Sequence, residues 1–257
     1  MKGKGHKKLS TPMIASIGAA ALVLVLFLSF LFSSGLLHER KGGIQLPGSG
    51  EDAPVAGTEG SVMTAQDVAD VEITAENAQK VIASLKRPSD YVCQIANTLY
   101  FTGGSSTLTC TRYARGDAVR TDTLDAAGEV SSTLLRDADV VYAWNAGDTQ
   151  AFKGAQGPFT DDADAMLPTY EDVLASGVML TAASRENLEN DPCIRVKFDQ
   201  GGYHCVYDIS ASSGLLKAAS FYSGQTLTRQ VTVSALRTDT PGANFFNLPD
   251  GTSVLGE

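Results

Sequence analysis

The pattern of apolar and polar positions divides the chain into three textures. Residues 13–32, MIASIGAAALVLVLFLSFLF, form an unbroken apolar run without a charge. At about 1.5 Å rise per residue it is long enough to cross a hydrocarbon layer of roughly 30 Å. Residues 33–63 follow without any apolar period and read as a flexible spacer rich in Gly, Pro, Ala and acids. Beyond residue 64 the periods of regular structure begin. Ala78, Val81, Ile82 and Leu85 recur at helical spacing, Thr74 stands where a cap would, and Pro88 stops the helix.

From Tyr91 onward the period is two. Strands are predicted over 91–101, 108–113, 118–123, 130–135, 140–144 and 149–153, with Gly103-Gly104, Arg115-Gly116-Asp117, Ala127-Gly128 and Asp137-Ala138-Asp139 as turns. Residues 161–175 break the rhythm as a helical or looped cover segment ending at Gly177. Strands resume over 193–198, 203–209, 215–222 and 226–237. Short turns between neighbours imply an antiparallel meander. The expected fold is therefore α+β: a curved antiparallel sheet of about 9–11 strands, a half-open barrel, packed on helices and preceded by one transmembrane helix.

Charge orients this arrangement. Residues 1–12 form a basic tip, and residues 1–41 together carry +5 of a total of −9, leaving −14 beyond. Positive residues stay on the cytoplasmic side, so the N-terminus is expected inside, 13–32 as a single-pass anchor, and 64–257 as an extracytoplasmic domain of the cell envelope. A cleaved signal peptide is the competing reading. It is disfavoured because the apolar core exceeds the roughly 7 to 15 residues of a signal segment. A domain this acidic repels phosphate backbones and anionic lipid heads, which argues against nucleic-acid binding and against a basic membrane-docking patch.

Cys93, Cys110, Cys193 and Cys205 all fall in the exported part, and an even count there suggests two disulfides. Local pairing, Cys93 with Cys110 and Cys193 with Cys205, is the simplest arrangement. A two-residue turn at Gly103-Gly104 would, however, offset Cys93 from Cys110 by four residues, too far for a bond without a bulge or another turn. Other pairings stay open.

Candidate chemistry is sparse. His204 is the single histidine after His38, and neither Gly-x-Ser-x-Gly nor Ser-x-x-Lys occurs. No Cys-x-x-Cys supports a metal, and Asp161, Asp162 and Asp164 lack the glycine and closing glutamate of a calcium loop. Arg115-Gly116-Asp117 reads as an ordinary turn. The expectation is no enzyme, no cofactor, no catalytic residue and no metal. Tyr142, Trp144, Phe152 and Phe159 are candidates to line a ligand cavity, with core packing as the alternative.

Several short motifs carry a resemblance over roughly 74–254. They are the helix with Val81, Ile82 and Leu85 before Tyr91; Tyr113-x-x-Gly116-Asp117-x-x-Arg120; Tyr207-Asp208 followed by Gly214-Leu215; and the closing Phe245-Phe246-Asn247-Leu248-Pro249-Asp250-Gly251. In these the chain resembles the lipoprotein-carrier-like half-barrel domains, a group of lipoprotein localisation factors, envelope-stress regulators and a clostridial germination lipoprotein. The resemblance implies a curved sheet over helices and a partner that is a lipid, a lipoprotein or an envelope protein. The apolar run implies a stationary domain where soluble carriers shuttle. A structural subunit of an envelope or sporulation complex is the second reading.

Overall fold

The computed structural model describes residues 62–155 and 167–255. The basic tip, the apolar run 13–32, nearly all of the spacer and Phe159 lie outside the described residues. Among the described residues no helix is long and apolar enough to cross a membrane.

Eleven strands form one open antiparallel sheet: β1 (Asp90–Phe101), β2 (Gly104–Arg115), β3 (Ala118–Leu124), β4 (Val130–Asp137), β5 (Val140–Asn145), β6 (Phe152–Ala155), β7 (Leu180–Leu188), β8 (Asp191–Gln200), β9 (Tyr203–Ser210), β10 (Leu216–Ser223) and β11 (Thr226–Arg237). Their order is β6-β5-β4-β3-β2-β1-β11-β10-β9-β8-β7. Two meanders are thus joined through β1 and β11. β6 and β7, consecutive along the chain, lie at opposite edges of the sheet.

Three short helices, α1 (Ala65–Asp70), α2 (Ala78–Ser84) and α3 (Glu171–Leu174), accompany the sheet. The helix expected from a cap at Thr74 starts three residues later, at Ala78 in α2, and α1 is a separate helix before it. Asn77 is the reason: its side chain donates to the Glu72 carbonyl (2.8 Å) and accepts from the Thr74 N–H (2.9 Å). Such local bonds offer the backbone an alternative to helix. The α2 stripe is as the spacing predicts, with Ala78, Val81, Ile82 and Leu85 buried against Ile194, Val196, Phe198 and Ile209. Burying an isoleucine such as Ile82 stabilises by about 1.5–3 kcal/mol.

Strand alternation separates a helix face from an outer face. The helix face carries Cys93, Ile95, Asn97, Cys110, Arg112, Ile194, Val196, Phe198, Tyr207 and Val231. On the outer face, a closing segment with a 3-10 turn (Ala243–Phe246) packs Phe245, Phe246, Leu248 and Val254 against Tyr113, Ala118, Leu135, Tyr142 and Trp144. Tyr113 stacks on Phe245 at 4.5 Å, and Arg120 donates to the Phe245 carbonyl at 2.7 Å. Two of the resemblance motifs therefore meet here as a clasp on the fold.

Three expectations are corrected. The strand β7 is absent from the predicted elements, because LTAASRENL is an edge strand, half exposed on both sides, and shows no apolar alternation. The β1–β2 turn is Thr102-Gly103, with Phe101 opposite Gly104, so every pair shifts from the expected register. Gly103 takes a φ of 96°, the conformation that places a glycine at this point of the turn. The disulfides are the third correction, since all four cysteines are buried free thiols. Cys93 faces Arg112 and Cys110 faces Ile95. The two cysteines are diagonal neighbours, about 7–8 Å apart, beyond the reach of a disulfide. Cys193 pairs with Ser210 on the outer face, whereas Cys205 pairs with Phe198 on the helix face.

Candidate functional site

One end of the sheet gathers the turns β1–β2, β3–β4, β5–β6, β8–β9 and β10–β11 together with the start of β7, as the antiparallel order requires. On the helix face this end leaves apolar side chains of its rim in solvent: Leu99 (42% exposed) and Phe101 (60%) on β1 and, at the edge strand β6, Phe152 (66%). Met179, 80% exposed, precedes β7 at the opposite edge. The opposite end shows no comparable aromatic rim among the described residues. It holds a shallow polar depression of about 450 Å³ lined by Asp90, Arg115, Gly116, Asp117 and Asp137.

Immediately inside the rim the helix face turns polar. Arg229 stands opposite Leu99 in the β1–β11 pair and opposite Phe221 in the β10–β11 pair. Its guanidinium lies over the Phe221 ring, 4.8 Å from the centroid, and Nε donates to Asn97 Oδ1 at 3.0 Å. Burial lowers its pKa, with Tyr207 and Asp172 opposing that shift. Tyr207, deeply buried, donates to Asp172 Oδ2 at 3.2 Å, and burial holds its phenol well above the ordinary pKa. On β2, Arg112 donates to Thr121 Oγ1 at 3.4 Å.

Residues 167–178 cross this face and are pinned to it. Gln79 donates from α2 to the carbonyls of Val173 (2.8 Å) and Val178 (3.1 Å). Arg87 lies 3.7 Å over the Tyr170 ring and donates to Gly214 O at 3.0 Å and Leu85 O at 3.0 Å. It thereby caps the end of α2 and ties it to the β9–β10 turn.

The proposed cavity residues are divided by the sheet. Tyr142 and Trp144 face outward into the clasp, with Arg120 5.6 Å from the Trp144 ring and Lys153 5.5 Å from the Tyr142 ring. Phe152, paired with Ala143, is on the helix face at the rim. Phe159 lies outside the described residues. Arg229 and Asn97 are not among the residues the sequence singles out, although a signal is present. Arg229 is in phase with Val231 and Val233, and Asn97 with Cys93 and Ile95, so both are polar residues at core positions.

None of the four cysteines is set up as a nucleophile. Burial pushes Cys93 and Cys205 up to about 11 and Cys193 up to about 12, and raises Cys110. His204, the one histidine among the described residues, pairs with Asp199 at 3.0 Å on the outer face. Thiolate is the reactive form, so a thiol-specific disulfide reagent is expected to modify none of the four cysteines in the native protein and all four in denaturant. Rapid native labelling of any one would contradict the burial. The sign of linkage follows from the raised values. Stabilisation by these protonated thiols is fully present below the ordinary thiol pKa near 9 and is lost as pH rises toward 11 to 12.

No protein-family model matches the chain, and no curated protein matches it. Among solved structures, the chain is similar to a LolA superfamily protein from Nitrosomonas europaea, at 9% identity over 68% of this chain and 98% of that one, with a TM-score of 0.34. It is similar to a DUF1329 family protein from Desulfovibrio piger, at 11% identity over 67% and 95%, with a TM-score of 0.39. A third is a putative outer membrane lipoprotein-sorting protein domain from Vibrio parahaemolyticus, at 13% identity over 63% and 90%, with a TM-score of 0.31. With TM-scores below 0.5, none of these likenesses bears on what this chain binds.

Proposed function

We propose that this protein is a non-enzymatic, membrane-anchored extracytoplasmic binding domain, held by residues 13–32, that takes up the apolar chain of a lipid or lipoprotein at the rim of its helix face. The observation that carries this reading is the exposed apolar pair Leu99 and Phe101, neighbours on the helix face of β1 at this end, in front of Arg229. Clustered exposed apolar side chains mark a binding surface, whereas scattered ones do not. Arg229 and Asn97 behind the rim supply the few polar groups that orient a bound chain.

The test uses the full chain reconstituted in nanodiscs and a fluorescent acylated peptide. Leu99→Asp combined with Phe101→Asp is expected to weaken binding at least tenfold, while Val130→Asp, also near this end, serves as the charge control. Unchanged affinity in the double variant would sink the proposal. A single stoichiometric protein crosslink in cells, without acyl binding, would favour a scaffolding role.

A further inference from the structure

The chemistry of the turns themselves goes beyond the rim. The β1–β2 tip, residues 99–108 (LYFTGGSSTL), and the β10–β11 region, residues 218–228 (AASFYSGQTLT), contain no charged residue. The pairing of β1 with β11 places these two tips side by side. The first presents Leu99, Tyr100 and Phe101 to solvent, while the chain beyond residue 41 carries −14. Neighbouring turns are different, with Asp125 and Glu129 in one and Asp199 in another.

We propose that this paired tip is a docking surface for the neutral lipid surface of the membrane that carries the anchor. The inference rests on the anchored reading above and adds where the domain meets the bilayer. Tyr and Phe favour the membrane interface, and aliphatic neighbours enter the headgroup boundary beside them. The absence of basic residues from the tips selects zwitterionic rather than anionic lipid, since electrostatic attraction contributes nothing here.

The length of chain before the domain is what makes the bilayer the occupant. Met63 bridges to Leu85, beside Gly214 and Arg87, so the spacer enters at the end opposite the tips. A 12-residue strand such as β1 spans about 40 Å, whereas the roughly 30 residues of the spacer extend to about 100 Å. The domain can therefore lie over and bring its tips to the lipid from which an apolar chain would enter the rim.

The experiment reconstitutes the full chain in phosphatidylcholine nanodiscs containing acyl-brominated lipid, in a Trp144→Phe background. Tryptophan introduced by Phe101→Trp is expected to be quenched at least twofold, and tryptophan introduced by Asp139→Trp, at the opposite end, to be unaffected. Adding Leu99→Ser and Tyr100→Ser should at least halve the quenching at position 101. Equal quenching at both ends, or none at position 101, overturns the proposal, as does a photocrosslinker at position 101 that captures protein and no lipid. Acyl-peptide binding measured in the same nanodiscs separates the two readings. Intact binding without quenching removes the docking alone, and quenching without binding removes the ligand reading alone. Co-flotation with vesicles reports the anchor independently.

Discussion

Replacing Gly214 by alanine is expected to destabilise the domain by about 3 kcal/mol, one of the two largest single-residue effects foreseen for this protein. A Cβ at this position would sit 2.7 Å from Arg87 Cγ and 2.8 Å from the Lys86 carbonyl oxygen, and the backbone φ of 68° is itself unfavourable for alanine. The left-handed conformation costs about 1–2 kcal/mol. The remainder comes from displacing Arg87, which loses its bond to the Gly214 carbonyl and its place over Tyr170. For a domain of this size the thermal midpoint should fall by about 6–12 °C. Gly116 is the internal control, with a φ of 57° and nothing within 4 Å of the point a methyl would occupy, so Gly116→Ala should cost only the conformational part. Equal losses at the two glycines would show that the Arg87 contact is energetically idle.

The second large effect is expected at Asp122. Its carboxylate is buried and accepts from Arg120 Nε at 2.7 Å and from Thr133 Oγ1 at 2.7 Å. Asp122→Ala leaves Arg120 beside an emptied site, and breaking a buried pair from one side costs about 3–5 kcal/mol. Arg120 also holds the Phe245 carbonyl, so the loss should spread to the closing segment. Hydrogen exchange is the discriminating measurement. Amides of residues 245–254 should lose protection in Asp122→Ala while those of β8 and β9 keep theirs. The paired replacement Arg120→Met with Asp122→Leu should cost less than Asp122→Ala alone, because no charge is then left buried. A larger loss in the pair would contradict this account.

These two sites change the meaning of the motifs that carry the resemblance. Tyr113, Arg120, Phe245 and Phe246 converge on the outer clasp. Gly214 lies under Arg87, and Asp208 accepts two bonds from Arg195, at 2.8 and 3.1 Å. They hold the sheet and its covering segments together. The rim lies at the other end from Gly214, and Arg229, Asn97 and Tyr207 behind it belong to strands whose alternation reads as core.

What the sequence determined by itself is whatever depends on neighbours within one element. The period of two marks nine of the eleven strands, since each buries one face, whereas β6 is exposed nearly throughout and is placed only by the turn before it; the helical stripe of Ala78, Val81, Ile82 and Leu85 marks the face of α2. It also supplies the apolar run, the basic flank and the uncharged tips. Tertiary structure decided everything that depends on register or on distant pairing. A one-residue difference in the placement of the β1–β2 turn changes which residues face each other along the whole hairpin. The odd offset between Cys193 and the partner of Cys205 puts those two thiols on opposite faces. The β1–β11 junction joins residues more than a hundred positions apart, and no local pattern encodes it. That junction sets the two uncharged tips side by side and puts Arg229 behind Leu99, so the apolar rim exists only once the sheet has formed.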